Sequence, residues 1–177
     1  MYKRQAVGKY NEFESLRQAG VRYADVRGYS YDREDVTARG LASVYAQSLG
    51  AGFTAEQKPI EVELAVAEVG QIQEADHLYR LTFDGSIADE HGFIVMGGQA
   101  DKVSEAVAAG WQGELDFAGA IRLALAGLVA DKETTTLPVS ALEVAVLDRG
   151  SESGRGTRRA FRRLEDPDIV ALLAEEK

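Results

Sequence analysis

The sequence predicts an α+β protein in which paired helices pack on the faces of an antiparallel sheet. Three observations carry that prediction. Segments of helical period come in pairs, segments of alternating period come in runs, and the two never interleave as βαβ units. The resulting order is αα–βββ–αα–ββ–α, with no internal repeat of fixed period.

The first helix is expected over 11–27, with Asn11 as N-cap, an imperfect apolar stripe of Phe13, Leu16, Val21 and Ala24, and Gly28 as its stop. Tyr29-Ser30-Tyr31-Asp32 connects it to a second helix over 34–50. Leu41, Val44, Tyr45, Ser48 and Leu49 share one face there, and Gly50-Ala51-Gly52 ends it. From Ile60 the period switches to two. Ile60, Val62, Leu64 and Val66 point one way, Glu61 and Glu63 the other. A second strand is expected at 78–83, followed by an Asp84-Gly85 turn. A third, Phe93-Ile94-Val95-Met96, is apolar throughout, which predicts burial on both faces before Gly97-Gly98 breaks it. Helices over 100–110 and 115–131 follow. A Thr-rich loop leads to a strand over 139–148, a connection over 150–157 and a short basic strand over 158–164. Asp166-Pro167 opens a final helix, where proline's missing N–H costs nothing.

Composition narrows the function classes. The chain has 177 residues, one domain's worth, and 45% of them are hydrophobic, enough to build a core. With 20 Lys and Arg against 29 Asp and Glu the net charge is −9, which disfavours nucleic acid and anionic membranes as partners. The absence of cysteine excludes disulfides, thiolate catalysis and Cys-ligated zinc, and two histidines are too few for a His-rich metal site. The most apolar window, Ala118–Ala130, is interrupted by Arg122 and falls short of the roughly 20 residues a spanning helix needs. No apolar stretch follows Lys3-Arg4 to make a signal peptide, so a cytoplasmic protein without cofactor or metal is expected.

Several motifs together resemble one family. Gly8-Lys9-Tyr10-Asn11-Glu12-Phe13, Arg27-Gly28-Tyr29-Ser30-Tyr31-Asp32-Arg33, Tyr45-Ala46-Gln47-Ser48-Leu49 and the run from Lys58-Pro59 to Val69 are similar to segments of actinobacterial-type 20S proteasome alpha subunits. Asp84-Gly85-Ser86-Ile87-Ala88-Asp89-Glu90, Val95-Met96-Gly97-Gly98, the run 142–148 and Arg158-Arg159-Ala160-Phe161-Arg162-Arg163 extend the resemblance from about Ala6 to the C-terminus. It implies the four-layer αββα sandwich of the N-terminal-nucleophile hydrolases, here lacking its first strands. Family members carry a gating tail, an amphipathic helix and further strands before the Gly-Lys-Tyr-Asn-Glu-Phe segment, where this chain has Met1–Val7. Residues 1–5 do not resemble the family, and 6–177 read as a partial alpha-type domain of an N-terminally truncated subunit. Uncovered sheet edges would then make the isolated chain fold poorly or aggregate.

The resemblance implies a non-catalytic subunit of a seven-membered ring. It would contact neighbouring alpha subunits and proteasome beta subunits, restrict the access of tagged protein substrates to the chamber and dock a ring-shaped AAA-type ATPase. The two helices at 11–27 and 34–50 would face the beta ring. Tyr29, Tyr31, Asp32, Lys58 and Pro59 are the subunit-interface candidates, and Gly8 the candidate for the pocket that receives an activator's tail. The family pocket's lysine lies upstream of this segment and has no counterpart here.

Other motifs bear on chemistry. Thr134-Thr135-Thr136 resembles the threonine of the catalytic beta subunits, but that nucleophile needs its own free α-amine, which internal threonines lack. Gly97-Gly98 lacks a nucleotide-binding pattern and reads as a turn. Arg155, Arg158, Arg159, Arg162 and Arg163 read as a solvated edge strand, with an anion site or an acidic neighbour as alternatives. Asp84, Asp89 and Glu90 read as turn residues and flanking His77 and His91 as exposed polar groups, rather than as a metal site. Two competing functions remain: a truncated beta-type threonine peptidase, and an unrelated small-molecule enzyme using the Gly97-Gly98 turn.

Overall fold

The computed structural model describes residues 2–55, 58–113, 115–130, 132, 137–149 and 161–174. The chain forms two compact units, Met1–Ile94 and Val95–Lys177. The first contains β1 (Tyr2–Gly8), α1 (Tyr10–Ser30), α2 (Ala38–Ala55), β2 (Val62–Glu68), β3 (His77–Leu81) and β4 (Ile87–Asp89). All four strands form one antiparallel sheet in the order β1-β2-β3-β4.

The core of this unit follows from two periodicities meeting. Along β2, Val62, Leu64 and Val66 alternate inward; the register sets Leu64 opposite Leu81 and Val66 opposite Tyr79. Along α2, Ala38, Leu41, Ala42, Tyr45 and Leu49 recur at helical spacing and cover that sheet face. Each fully buried Leu contributes about 1.5–3 kcal/mol. The helix α1 lies beside α2 through Leu16 and Gly20. Glu68, at the end of β2, accepts the Ala38 N–H at 2.7 Å and so caps α2 from the sheet. Between the helices, Asp32 and Asp35 form a capping box around a single 3-10 turn.

The second unit contains α3 (Ala100–Gly110), α4 (Phe117–Val129), β5 (Ala145–Leu147), β6 (Phe161–Arg163) and α5 (Asp166–Ala174), with β5 and β6 antiparallel. Asp116 caps α4 by accepting the Gly119 N–H at 2.6 Å. The helices α3 and α4 approach closely at glycines: a Cβ on Gly127 would lie 2.5 Å from Val107, and one on Gly110 would lie 2.4 Å from Leu123. Ile121, Leu164 and Ile169 form a small separate core.

Several sequence expectations are corrected. Lys9 rather than Asn11 is the N-cap of α1, which runs past Gly28 to Ser30, and α2 covers Ala38–Ala55 rather than 34–50, because residues 33–35 form the capped 3-10 turn and the helix continues through Gly50-Ala51-Gly52. Residues Tyr2–Gly8 form a seven-residue strand; neither of its alternating sets is apolar (Tyr2, Arg4 and Ala6 against Lys3, Gln5 and Val7), so the pattern conceals it. Phe93–Met96 is not a strand buried on both faces. It enters neither sheet, is half-buried, and lies between Gly92 and Gly97, whose positive φ angles turn the chain at both ends. The expected strand over 139–148 is a 3-10 turn at Val139–Ala141 followed by three strand residues, because Pro138 starts a turn in which Leu142 N–H donates to Val139 O. Asp89 lies in β4 rather than in the turn. The connection expected over 150–157 and residues 158–160 of the basic strand lie outside the described residues.

Candidate functional site

The two groups of predicted interface residues sit at opposite ends of α1, separated by about 28 Å of helix at 1.5 Å per residue. The structure therefore makes two candidate sites rather than one.

At the N-terminal end, Gly8, Lys9, Glu12, Lys58, Pro59 and Glu61 meet. The β1–β2 ladder closes at Gly8 opposite Val62. One residue further, Lys9 N–H donates to Glu61 O at 3.1 Å. Gly8 has φ +131°, and a Cβ there would lie 2.1 Å from Glu61 O, so both the backbone conformation and the close approach require glycine. Lys58 Nζ donates to Glu12 at 2.7 Å and lies 3.5 Å from Glu61, while Lys9 Nζ lies 2.8 Å from Glu61. Two cations and two carboxylates thus alternate. The Lys58 hydrogen bond, followed by the Glu61 amide, holds the Glu12 carboxyl below its ordinary value. Lys9 does the same for Glu61, and Glu12 raises Lys58. Pro59 is half-buried beside this cluster.

At the C-terminal end, Tyr29 is 93% and Tyr31 73% exposed, so both rings are available to a partner. The Arg27 guanidinium lies 5.4 Å from the Tyr31 ring centroid and donates to Asp35 O. Asp32 acts as a cap, accepting Glu34 N–H at 2.9 Å. Ala19, Arg22, Tyr23, Val26, Arg27, Ser30 and Tyr31 line an open groove of about 470 Å³ along the same helix.

The remaining motifs have structural partners. Asp84 accepts from the Thr82 hydroxyl at 2.6 Å and from the Ser86 amide and hydroxyl at 3.0 Å each, which locks the β3–β4 turn. His77 begins β3 with its ring stacked on Tyr79, and His91 is exposed just beyond β4. Among the described residues no cluster of three His, Asp or Glu side chains could hold a metal. Gly97-Gly98 forms a turn closed by Ala100 N–H donating to Gly97 O, without the preceding strand a phosphate loop requires. Arg163 pairs with Glu143 at 2.5 Å, and Arg162 sits 4.0 Å from Asp148 and over the Phe117 ring. Thr134-Thr135-Thr136, Arg155, Arg158 and Arg159 lie outside the described residues. No helix among the described residues is long and apolar enough to cross a membrane.

Sequence reasoning missed Lys9, Glu12 and Glu61. The available signal was a Lys before the first helix and an acid in its first turn, mirrored by a Lys and an acid before the first alternating strand.

No family model matches the chain. Individual curated proteins do. A protein named proteasome subunit alpha from Arthrobacter sp. (strain FB24) is 82% identical over 171 residues, 97% of this chain and 73% of that protein. The protein of the same name from Paenarthrobacter aurescens (strain TC1) is 74% identical over 171 residues, again 97% and 73%. The one from Kineococcus radiotolerans is 58% identical over 176 residues, 96% of this chain and 72% of its own length.

Proposed function

The chain belongs to the proteasome alpha subunit family, and we propose that it forms part of a seven-membered alpha ring that gates the path of substrates to the proteolytic chamber. It is a non-catalytic subunit of the 20S core particle, which assembles with other proteasome subunits for protein degradation. The observation that carries this is identity of up to 82% over nearly the whole chain to proteins named as alpha subunits. The same names leave the beta-type peptidase and the small-molecule enzyme without support.

On this reading peptide hydrolysis belongs to the partner beta subunits, and the contribution of this chain is compartmentalisation in the cytoplasm. The rings would pass only unfolded, tagged proteins and would dock a ring-shaped AAA-type ATPase. Residues 6–177 would be the alpha-type part of a four-layer αββα sandwich. The helix pair on one face of the four-stranded sheet supports this as one helix layer on one sheet layer. The helices α1 and α2 would face the beta ring. Tyr29 and Tyr31 would bury their exposed rings against a neighbour, with Asp32 holding the turn that presents them. Lys58 and Pro59 would lie near the adjacent alpha subunit. Gly8, exposed at this corner, would line the pocket for an activator's tail.

The test is peptide hydrolysis by the purified chain, alone and with a proteasome beta subunit. The expected result is no turnover alone and turnover only in the presence of beta. Cleavage by the chain alone would refute the reading.

A further inference from the structure

One side chain holds the corner at the start of α1. Glu12 spends both carboxylate oxygens on residues more than forty positions away. One accepts the Glu61 backbone N–H at 2.6 Å and the other accepts Lys58 Nζ at 2.7 Å. This is not the ordinary work of an acid in a helix's first turn, which acts on the free N–H groups and dipole of its own helix. Lys9, the N-cap residue, supplies no side-chain cap either.

The chain geometry explains why the contact matters. Pro59 has no N–H to donate, and the β1–β2 ladder ends at Gly8 opposite Val62. The Glu61 N–H lies beyond that ladder and finds its acceptor in Glu12. Glu61 then returns its carbonyl to Lys9 N–H, and that carbonyl is the atom lying against Gly8. The placement of the Glu61 backbone, and so of the surface around Gly8, runs through the Glu12 carboxylate.

We propose that Glu12 is a positioning residue for subunit contact: its carboxylate fixes the 58–61 segment against Gly8 and so sets the shape that a neighbouring alpha subunit meets there. The inference rests on reading Gly8, Lys58 and Pro59 as partner-facing. It goes further in assigning the control of that surface to a residue inside α1 that need not touch the partner. The ion pairs alone are too exposed to carry it, since Lys58 is half-exposed. The backbone hydrogen bond, strengthened by the carboxylate charge, is the constraint.

The experiment uses the full chain with Glu12→Ala, Glu12→Gln and Lys58→Met. Amide exchange at Glu61 and Lys9 reads the corner directly, with Leu64 and Val66 as core references. Glu12→Ala is expected to speed Glu61 exchange on the order of tenfold, as fits loss of a charge-assisted hydrogen bond at a partly exposed site, with the references unchanged. Glu12→Gln, which keeps an acceptor oxygen, should restore most of the protection, and Lys58→Met should fall between. Native mass spectrometry after co-expression with a proteasome beta subunit reads the consequence: Glu12→Ala lowers the fraction assembled and Glu12→Gln recovers it. Unchanged Glu61 exchange in Glu12→Ala overturns the proposal, as does faster exchange with undiminished assembly. Failure of the unsubstituted chain to assemble would count against the ring-subunit reading instead, and exchange would still decide whether Glu12 holds the corner.

Discussion

Replacing Gly20 by alanine sets two effects of similar size against each other, and the structure decides which wins. Helix propensity favours the change by about 1 kcal/mol, because glycine in a helix interior loses more backbone freedom. Packing opposes it. A methyl on Gly20 would lie 1.9 Å from Tyr45 Oη and 2.4 Å from Cζ, well inside ordinary contact of roughly 3.5–4.0 Å. Tyr45 is fully buried among Leu41, Leu49 and the β2 face, so its ring has no free space to swing into. Separating α1 from α2 by the missing distance costs more than the usual small overpacking, and we expect net destabilisation of about 1–2 kcal/mol. Gly28 provides the control on the same helix. A methyl there meets Val36 at 3.5 Å, ordinary contact, so Gly28→Ala should stabilise by up to about 1 kcal/mol. Amide exchange at Leu41, Ala42 and Leu49 measures both: roughly 5–30-fold faster for Gly20→Ala, slower for Gly28→Ala, with Val103 and Val107 unchanged. A neutral or stabilising Gly20→Ala would show that the two helices do not meet at this glycine.

Three further outcomes follow from other contacts. Gly85→Ala should cost about 2 kcal/mol or more in urea unfolding, because φ is +85° and the new Cβ would lie 2.7 Å from Ala46 O; a cost under about 0.5 kcal/mol would contradict that docking of the turn on α2. The Asp84 carboxyl is held below its ordinary value, chiefly by the Thr82 hydroxyl and then by Ser86. Its contribution is therefore complete above the usual carboxylate value near ~3.9 and is lost only as pH falls through the lower native value. An NMR titration should leave the Ser86 amide shift native down to about pH 4; a transition centred at the ordinary value would refute the turn geometry. Gly127→Val should force α3 and α4 apart at Val107 and destabilise the second unit by about 1–3 kcal/mol, read by fluorescence of Trp111, the chain's single tryptophan; an unchanged unfolding midpoint would contradict the close crossing.

The parts of this fold that sequence reading reached are those where one periodicity dominates. The β2 strand alternates between inward Val62, Leu64 and Val66 and outward Glu63 and Ala65, and α2 repeats apolar residues at helical spacing. The turn after β3 announced itself through Asp84-Gly85, although the strand β4 that it leads into, Ile87–Asp89, did not. What escaped was decided by partners rather than by local pattern. The β1 strand mixes polar and apolar residues on both faces and is revealed only by its ladder with β2. Phe93–Met96 has every local feature of a buried strand and no place in either ladder. At the candidate site, the motif resemblance marked Gly8, Lys58 and Pro59, but not the residue that ties them together. Glu12 and Glu61 are far apart in sequence, and a surface glutamate carries no mark of the backbone amide it will accept. Tyr29 and Tyr31 were marked by resemblance, and their exposure is what gives that mark physical content.

The most direct test of the ring-subunit account is the mass of the assembly formed when the chain is co-expressed with a proteasome beta subunit, measured by native mass spectrometry. The account predicts a closed complex containing seven copies of this chain per alpha ring together with beta subunits. A chain that stays monomeric beside a beta subunit that is itself competent to assemble would contradict it.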